Sequence, residues 1–487
     1  MSSRSTSGDL VTSLRALLAE LAPGDRLPTS RELTQRYRVG PGTVSRAIAA
    51  LAAEGAVVSR PGSGTYVAHR PARATDRLPD TSWQAVALAG RAFDLTAVSA
   101  AEYGTTPAAA AESDMAGAEA VHPLPEGAIA MAGGYPHPAL QPVKALGAAL
   151  ARAARRPDAW HRAPTSGLAP LRAVFARLAG GEVSADDVLI SAGGQSALSM
   201  LFRAIAAPGG PVLVESPAYP GALAAARAAG LRPVPVPMDG EGLRPDLLAD
   251  AFAMTGARLL YCQPTFHNPT GTVLAPGRRA QIVDVARAAG AFLVEDDCGR
   301  HLGHSRQVPP PLVAEDRDGT VIHLTSLTKP ASPSLRIGAV VARGPVMRRL
   351  RGLRFVDELF VARPLQEAAV ELVGTSAWER HLRELSAALR ERCAVLADAL
   401  AREVPEWRLT AFPSGGLHLW VELPRGVHDA VTADTARAYG VAVSAGGRYF
   451  PAEPSGAYLR LGFAAAAGAA ELVEGARRLG AAAREGS

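Results

Sequence analysis

Lysine is nearly absent from this chain. Of the 51 Lys and Arg residues among 487, only Lys144 and Lys329 are lysine, leaving 49 arginines. Arginine stays protonated and cannot condense with a carbonyl, whereas lysine can lose its proton and act as a nucleophile. Each lysine therefore asks for a reason. Cysteine is scarce too: Cys262, Cys298 and Cys393 are odd in number, far apart and without C-x-x-C spacing. That argues against a disulfide framework or structural zinc and fits a reducing cytoplasm. His161, His267, His301, His304 and His323 lack metal-ligand spacing, so no metal is expected. No run of about 18 uninterrupted apolar residues occurs. The first ten residues are Ser-rich and polar. Neither a signal peptide nor a membrane span is expected.

What is present is ordinary core-forming composition, 48% hydrophobic and 20% charged. At 487 residues one core would be too large, so two or more domains are expected. The net charge of +5 is unevenly spread: residues 1–70 hold nine Arg against five Asp and Glu, a balance of +4, and the other 417 residues carry +1. A basic head on a nearly neutral body points to a nucleic-acid-binding module joined to something else.

The head, residues 1–70, reads as three helices and a hairpin. Leu10, Val11, Leu14, Leu17, Leu18 and Leu21 fall at helical spacing, then Ala22-Pro23-Gly24 breaks the pattern. Ser30 is a suitable N-cap for a helix over 31–37, Gly40-Pro41-Gly42 makes a turn, and a third helix is predicted over 43–54. Two β-prone runs, 56–59 and 65–68, flank a Gly-rich basic tip. Residues 71–125, rich in Ala, Pro, Thr and acids, read as a linker with a short helix around Trp83 to Arg91. From 126 to 487 β-runs alternate with helices: 187–191, 211–215, 258–262, 291–295, 321–325 and 336–341. Several are apolar on successive residues, as strands covered on both faces should be. This predicts an α/β body with a mostly parallel sheet, a ligand at the strands' C-terminal ends, and a smaller α+β lobe after about Pro364.

The residues just past those strands carry the chemistry. Ser191-Ala-Gly-Gly-Gln-Ser196 opens a helix and offers free N–H groups to a phosphate. Ser216-Pro-Ala-Tyr-Pro220 places Tyr219 at the rim, where a ring can stack on a flat cofactor. His267-Asn-Pro-Thr-Gly271, Asp296-Asp297, and Ser326-Leu-Thr-Lys329 with Arg336 follow the next three.

This series, G-G-Q, P-A-Y-P, N-P-T-G, E-D-D and S-L-T-K-P-A-S-P-S-L-R, resembles a fold-type I pyridoxal-phosphate (PLP) aminotransferase. The head, Leu27-Pro-Thr-Ser-Arg-Glu-Leu33 through Ser59-Arg-Pro-Gly-Ser-Gly-Thr65, resembles a GntR-type winged helix-turn-helix. Head, linker and body in that order are similar to the MocR subfamily of transcription regulators. The resemblance implies that Lys329 forms the internal aldimine with PLP and that Asp296 keeps the pyridine nitrogen protonated. It implies Asn268 on the ring's 3-oxygen, Tyr219 on its face, and Gly193, Gly194, Gln195, Ser326 and Arg336 around the phosphate. Arg460 matches the arginine that holds a substrate or effector carboxylate. In the head it implies Arg31, Thr43 and Arg46 at the major groove or phosphates, and the wing residues Arg60, Gly62, Ser63 and Gly64 at the minor groove. A homodimer is implied as well. Lys144 reads as a solvated helix residue.

Two positions depart from the family pattern. Cys298 stands where a Tyr usually donates to the 3-oxygen, and a thiol is a weaker donor. Pro41 stands where an Arg often precedes the recognition helix. The leading expectation is a cytoplasmic, PLP-dependent regulator of a double-stranded operator, sensing PLP or an amino compound. Alternatives are a working aminotransferase with a DNA-binding appendage, and a PLP-free DNA-binding protein with a degenerate body.

Overall fold

Apolar residues recurring every three to four positions close a small core in the N-terminal part of the chain. The computed structural model describes residues 7–19, 21–22, 24–53, 56–60, 64–67, 81, 83–84, 127–305 and 307–485. The chain folds as two units, Met1–Leu78 and Pro79–Ser487. Gly62, Ser63, the side chain of Arg60 and most of the predicted linker, including its short helix beyond Gln84, lie outside the described residues.

The first unit holds α1 (Ser7–Ala19), α2 (Ser30–Tyr37), α3 (Pro41–Ala53) and the antiparallel hairpin β1 (Val57–Arg60) and β2 (Gly64–Val67). Leu10, Leu14, Leu33, Val44, Leu51 and Val57 pack together in its core. Helix α2 is capped by Thr29 instead of Ser30. Glu32 N donates to Thr29 Oγ1 at 3.3 Å while Thr29 N donates to the Glu32 carboxylate at 2.7 Å, a reciprocal capping box. Helix α3 starts at Pro41, two residues earlier than predicted, because proline in a first turn has no N–H to leave unpaired. Residues 24–27 pair with β2: Gly24 N donates to Val67 O at 3.0 Å and Leu27 N to Thr65 O at 2.8 Å.

The second unit begins with β3 (Ile129–Ala130), α4 (Val143–Ala154), α5 (Ala169–Ala179), β4 (Val188–Ser191), α6 (Gly194–Ile205), β5 (Pro211–Ser216) and α7 (Pro220–Ala228). Then come β6 (Arg232–Asp239), β7 (Gly242–Leu243), α8 (Pro245–Thr255), β8 (Leu259–Cys262), α9 (Pro276–Ala288), β9 (Phe292–Asp296), β10 (Val321–Ser326) and β11 (Gly338–Val341). Eight of these strands form one sheet in the order β4-β11-β10-β9-β8-β5-β6-β7. All run one way except β11 and β7. Successive strand residues face opposite layers: Leu213, Leu260 and Leu293 pack into one core with α5 and α9, while Val214, Tyr261 and Val294 pack into another with α6. That two-sided burial is why the β-runs are continuously apolar.

Strand β6 is absent from the β-runs read in the sequence, since Pro233, Pro235 and Pro237 interrupt it. The strand forms because one side pairs with β5 along its length and the other meets only the short β7. Prolines at alternate positions turn their missing N–H groups to that open side.

The chain continues through α10 (Pro345–Asp357), α11 (Arg363–Leu372) and the long α12 (Ser376–Glu403). The smaller lobe adds β12 (Arg408–Leu409), β13 (His418–Glu422), α13 (Asp429–Ala438), β14 (Val441–Ala442), β15 (Ser444–Ala445), β16 (Tyr458–Gly462) and α14 (Ala469–Glu485). Its antiparallel sheet runs β12-β13-β16-β15. The lobe also recruits the start of the body: β3 pairs in parallel with β14, Ile129 opposite Val441.

Candidate cofactor-binding site

Strands β4, β5, β8, β9 and β10 all end at one edge of the large sheet, and the antiparallel β11 starts there. The topology thus gathers residues distant in sequence: Gly193 and Gly194 after β4, Tyr219 after β5, Asn268 after β8, Asp296 at the end of β9, and Lys329 after β10. Arg336 reaches the same edge because β11 runs backward from it.

The floor is built around Asp296. Its buried carboxylate accepts from Tyr261 Oη at 2.7 Å, Gln263 Nε2 at 2.9 Å and Cys298 N at 3.2 Å. Burial, with the nearby Asp296 charge, pushes the Tyr261 hydroxyl well above its usual range, so it remains a donor. Gln263 also accepts from Asn268 N at 3.1 Å through its side-chain oxygen, tying the Asn268 loop to the floor. Beneath that loop the buried Glu215 accepts from Gln263 N at 2.7 Å and lies 3.3 Å from His267 Nε2. Tyr261 and Gln263 are not among the residues that the sequence singles out. Gln263 carries a local signal, as the first residue past β8; Tyr261 lies inside a buried strand and carries none.

The cradle is formed by Gly193, Gly194 and Arg336. A Cβ on Gly193 would lie 2.9 Å from the Arg336 guanidinium, and one on Gly194 would lie 3.0 Å from Cys298 Sγ. Arg336 donates to Ala192 O at 2.7 Å. The buried Ser326 Oγ lies 2.9 Å from Thr328 Oγ1 and donates to Ile337 O at 3.2 Å. On the rim, Tyr219 Oη donates to Gln195 Oε1 at 3.3 Å, and Gln195 Nε2 donates to Gly221 O at 2.8 Å. Burial first, then Asp296, raises the Tyr219 hydroxyl above its usual range.

Arg460 reaches in from β16. It donates to Asn268 Oδ1 at 3.3 Å and to Ala132 O, and its guanidinium lies 5.4 Å from the Tyr449 ring centre. Its buried Nε has no partner among the described residues, and neither has the buried Nδ1 of His418 on the neighbouring strand. His418 is held well below its usual range by burial and by Arg460, Lys329 and His267. The Cys298 thiol is pushed well above its usual range by burial and by Asp296, opposed by Lys329. Lys329 is half-buried, whereas Lys144 is exposed in the first turn of α4.

Beside the floor, Glu295, Asp297 and His323 form a buried group whose ligand-type atoms lie within 4.8 Å of one another. Protein donors occupy most of them: Glu295 accepts from Leu312 N at 2.8 Å and lies 2.9 Å from His323 Nδ1, and one Asp297 oxygen pairs with Arg300 while its buried Oδ1 has no partner among the described residues. This group is an ion-pair network under the sheet edge.

A phosphorylated, flat aldehyde fits these residues. The cradle has no Cβ where a phosphate would lie, a fixed carboxylate occupies the floor, and unpartnered buried nitrogens line the lobe side. In the head, Arg31 and Arg46 are exposed and Thr43 is half-buried at the start of α3. Gly64 has a φ of +117°, and a Cβ there would meet Arg26 Nε at 2.7 Å.

Residues 131–479 match the family described as aminotransferase class I and II, and residues 6–67 match the bacterial regulatory proteins of the gntR family. The 2-aminoadipate transaminase of Thermus thermophilus is 34% identical over 73% of this chain and 89% of its own length. The HTH-type transcriptional regulator YdcR of Escherichia coli (strain K12) is 30% identical over 82% of each chain. The regulator YdfD of Bacillus subtilis (strain 168) is 26% identical over 91% of this chain and 88% of its own. Among solved structures, LysN, the alpha-aminoadipate aminotransferase of T. thermophilus complexed with N-(5'-phosphopyridoxyl)-L-leucine, superposes with a TM-score of 0.70 at 33% identity, covering 74% of this chain and 93% of that one. The chain belongs to the aminotransferase class I and II family of PLP-dependent proteins, with a gntR-family head before its fold-type I body, which is the MocR-type architecture.

Proposed function

We propose that the chain is a DNA-binding transcription regulator whose body holds PLP at Lys329 and senses PLP or an amino compound there. One observation carries the reading. A basic gntR-type head precedes a body that keeps a lysine, a fixed carboxylate and a buried arginine with an unpartnered Nε around one cradle. PLP supplies an aldehyde that condenses with amines and a ring that withdraws electrons. In this reading Lys329 is the amine that holds the cofactor. Asp296, oriented by Tyr261, Gln263 and the Cys298 amide, keeps a proton on the ring nitrogen. Asn268 donates to the ring oxygen and Tyr219 covers the ring face. Gly193, Gly194, Gln195, Ser326 and Arg336 hold the phosphate. Cys298 takes the place of a phenolic donor, and its neutral thiol offers only a weak hydrogen bond there.

In the head, Arg31, Thr43 and Arg46 on α2 and α3 face phosphates or bases of a double-stranded operator, with Arg60, Gly62, Ser63 and Gly64 as the wing. Two copies are the expected form, since a two-fold operator is read by a two-fold protein. No helix among the described residues is long and apolar enough to cross a membrane, and a DNA-binding regulator with free cysteines belongs in the cytoplasm. The test is selection of duplex DNA from a random pool by the full chain, with and without PLP. Enrichment of paired half-sites, with retention that changes on adding PLP, is the expected result; no enrichment in either condition refutes the reading.

A second reading, turnover as an aminotransferase, is favoured by Arg460, whose unpartnered buried Nε leaves it free to take a carboxylate. Sustained conversion of an amino acid and a 2-oxoacid by the purified chain supports turnover. A single spectral change without product supports the sensor.

A further inference from the structure

Far from the cofactor edge, a piece of the predicted linker is seated in the body. Gln84 is fully buried and both its side-chain polar atoms are paired: Nε2 donates to Gly319 O at 3.0 Å and to Arg343 O at 2.9 Å, and Oε1 accepts from Val346 N at 3.0 Å. Trp83 Nε1 donates to Asp318 O at 3.0 Å, and its ring centre lies 4.7 Å from that of Phe292. Two glycines keep the seat open. A Cβ on Gly319 would lie 2.9 Å from Gln84 Nε2, and one on Gly344 would lie 2.8 Å from Thr81 Cβ. A residue of a linker has no reason to satisfy three backbone groups 235 to 262 positions away in the chain unless that contact is part of the fold.

The seat's position gives it a use. Val346 is in the first turn of α10, so Gln84 caps that helix. At the other end of α10 the fully buried Arg354 donates to Ile190 O at 2.9 Å and pairs with Glu358, and Glu358 accepts from Ser196 Oγ at 2.8 Å. Arg203 of α6 pairs with Asp357 at 2.6 Å. Ser196 is in the first turn of α6, whose N-terminus is the cradle. Helix α10, 13 residues and so about 20 Å long, spans the distance between the linker seat and the helix that faces a bound phosphate.

We propose that the Trp83–Gln84 seat is a docking surface for this chain's own linker and that α10 couples it to the cofactor cradle. This rests on the reading of the cradle as a PLP site. Docking ties the linker to the body at Trp83 and Gln84. A phosphate bound at the N-terminus of α6 holds that helix, and with it Ser196, Glu358 and α10, in the position that presents Val346 N to Gln84. Linkage is reciprocal: whatever factor PLP adds to docking, docking adds to PLP affinity.

Trypsin tests this on the full chain, because Arg77 and Arg91 flank the seat. Cleavage at these two arginines, followed by mass spectrometry, reports the undocked population. Without PLP, Gln84→Ala is expected to be cut ~10-fold faster or more, since it loses three buried hydrogen bonds. PLP is expected to slow cleavage of the wild-type chain several-fold and to leave Gln84→Ala unchanged, and the variant is expected to bind PLP more weakly by the same factor. Equal cleavage of the two chains without PLP overturns docking. Unchanged wild-type cleavage while PLP absorbance shows the cofactor bound overturns the coupling. If no PLP binds at all, the cofactor reading fails and the coupling with it, while the PLP-free comparison still decides docking. Should Gln84→Ala fail to fold, Trp83→Phe, which removes the bond to Asp318 O and part of the ring packed on Phe292, carries the same comparison with a factor of a few.

Discussion

Replacing Gly193 by alanine should damage the cofactor site more than the fold. Gly193 has φ 88° and ψ 175°, a region essentially reserved for glycine, and holding an alanine there costs on the order of 1–3 kcal/mol. The new Cβ would also lie 2.9 Å from Arg336 Nη2 and 3.0 Å from its Cζ, so the guanidinium must leave Ala192 O. A hydrogen bond from a charged donor is worth about 1.5–3 kcal/mol, and a displaced Arg336 forfeits a similar amount toward a phosphate. Affinity for PLP should therefore fall by roughly 10- to 100-fold. The assay is a PLP titration followed by visible absorbance, beside urea unfolding of the PLP-free protein. Gly209→Ala is the control: its φ is also positive, at +79°, but nothing lies within 4 Å of the new Cβ. It should lose stability from strain and keep its PLP affinity. If Gly193→Ala binds PLP as tightly as Gly209→Ala does, the cradle is not where the cofactor's phosphate sits.

Other outcomes follow from the same geometry. Burial pushes the Asp297 carboxyl up to about 6 against the pull of Arg300 and His323, from a usual 3.8. Between those values the native chain keeps a proton the unfolded chain has lost, so this group's contribution to stability falls as pH rises through that window. Asp297→Asn should remove that slope, gaining on the wild type from about pH 4 to about pH 6.5; parallel urea midpoints at the two pH values would refute this. Arg460→Lys should leave PLP affinity within a few-fold but raise the amino-acid concentration needed for a spectral response by more than ~10-fold, since a bidentate fork becomes a point charge. Equal responses would remove Arg460 from the ligand's contacts. Arg31→Ala and Arg46→Ala should each lower the slope of DNA affinity against salt by about 0.9, measured on the selected duplex, if each side chain faces a phosphate.

What can be read from the sequence depends on whether the determinants are local. Residues past strand ends are readable, because a short apolar run followed by Gly, Asn-Pro or Asp-Asp is a local signal, and Gly193, Tyr219, Asn268, Asp296 and Lys329 do share one edge. Partners across strands are not. That Tyr261 and Gln263 orient Asp296 depends on the register of β8 against β9, which no window of sequence contains. Helix starts differ by one or two residues at Thr29 and Pro41, where a cap one position upstream and a helix-compatible proline carry the signal. Strand β6 is hidden because its prolines argue against a strand until its open side is known. The Trp83–Gln84 seat is hidden for another reason: it lies inside a stretch whose composition reads as a linker, and only the fold brings Gly319 and Gly344 to meet it.

One particular lysine is proposed to hold the cofactor, and a chain with only two lysines makes that assignment unusually clean to check. The purified full-length protein, incubated with PLP, reduced with borohydride and digested with trypsin, should carry the pyridoxyl group on the peptide that contains Lys329. Lys329→Ala should abolish it and Lys144→Ala should not. An adduct on Lys144, or no adduct while the protein is folded, would show that Lys329 does not hold PLP.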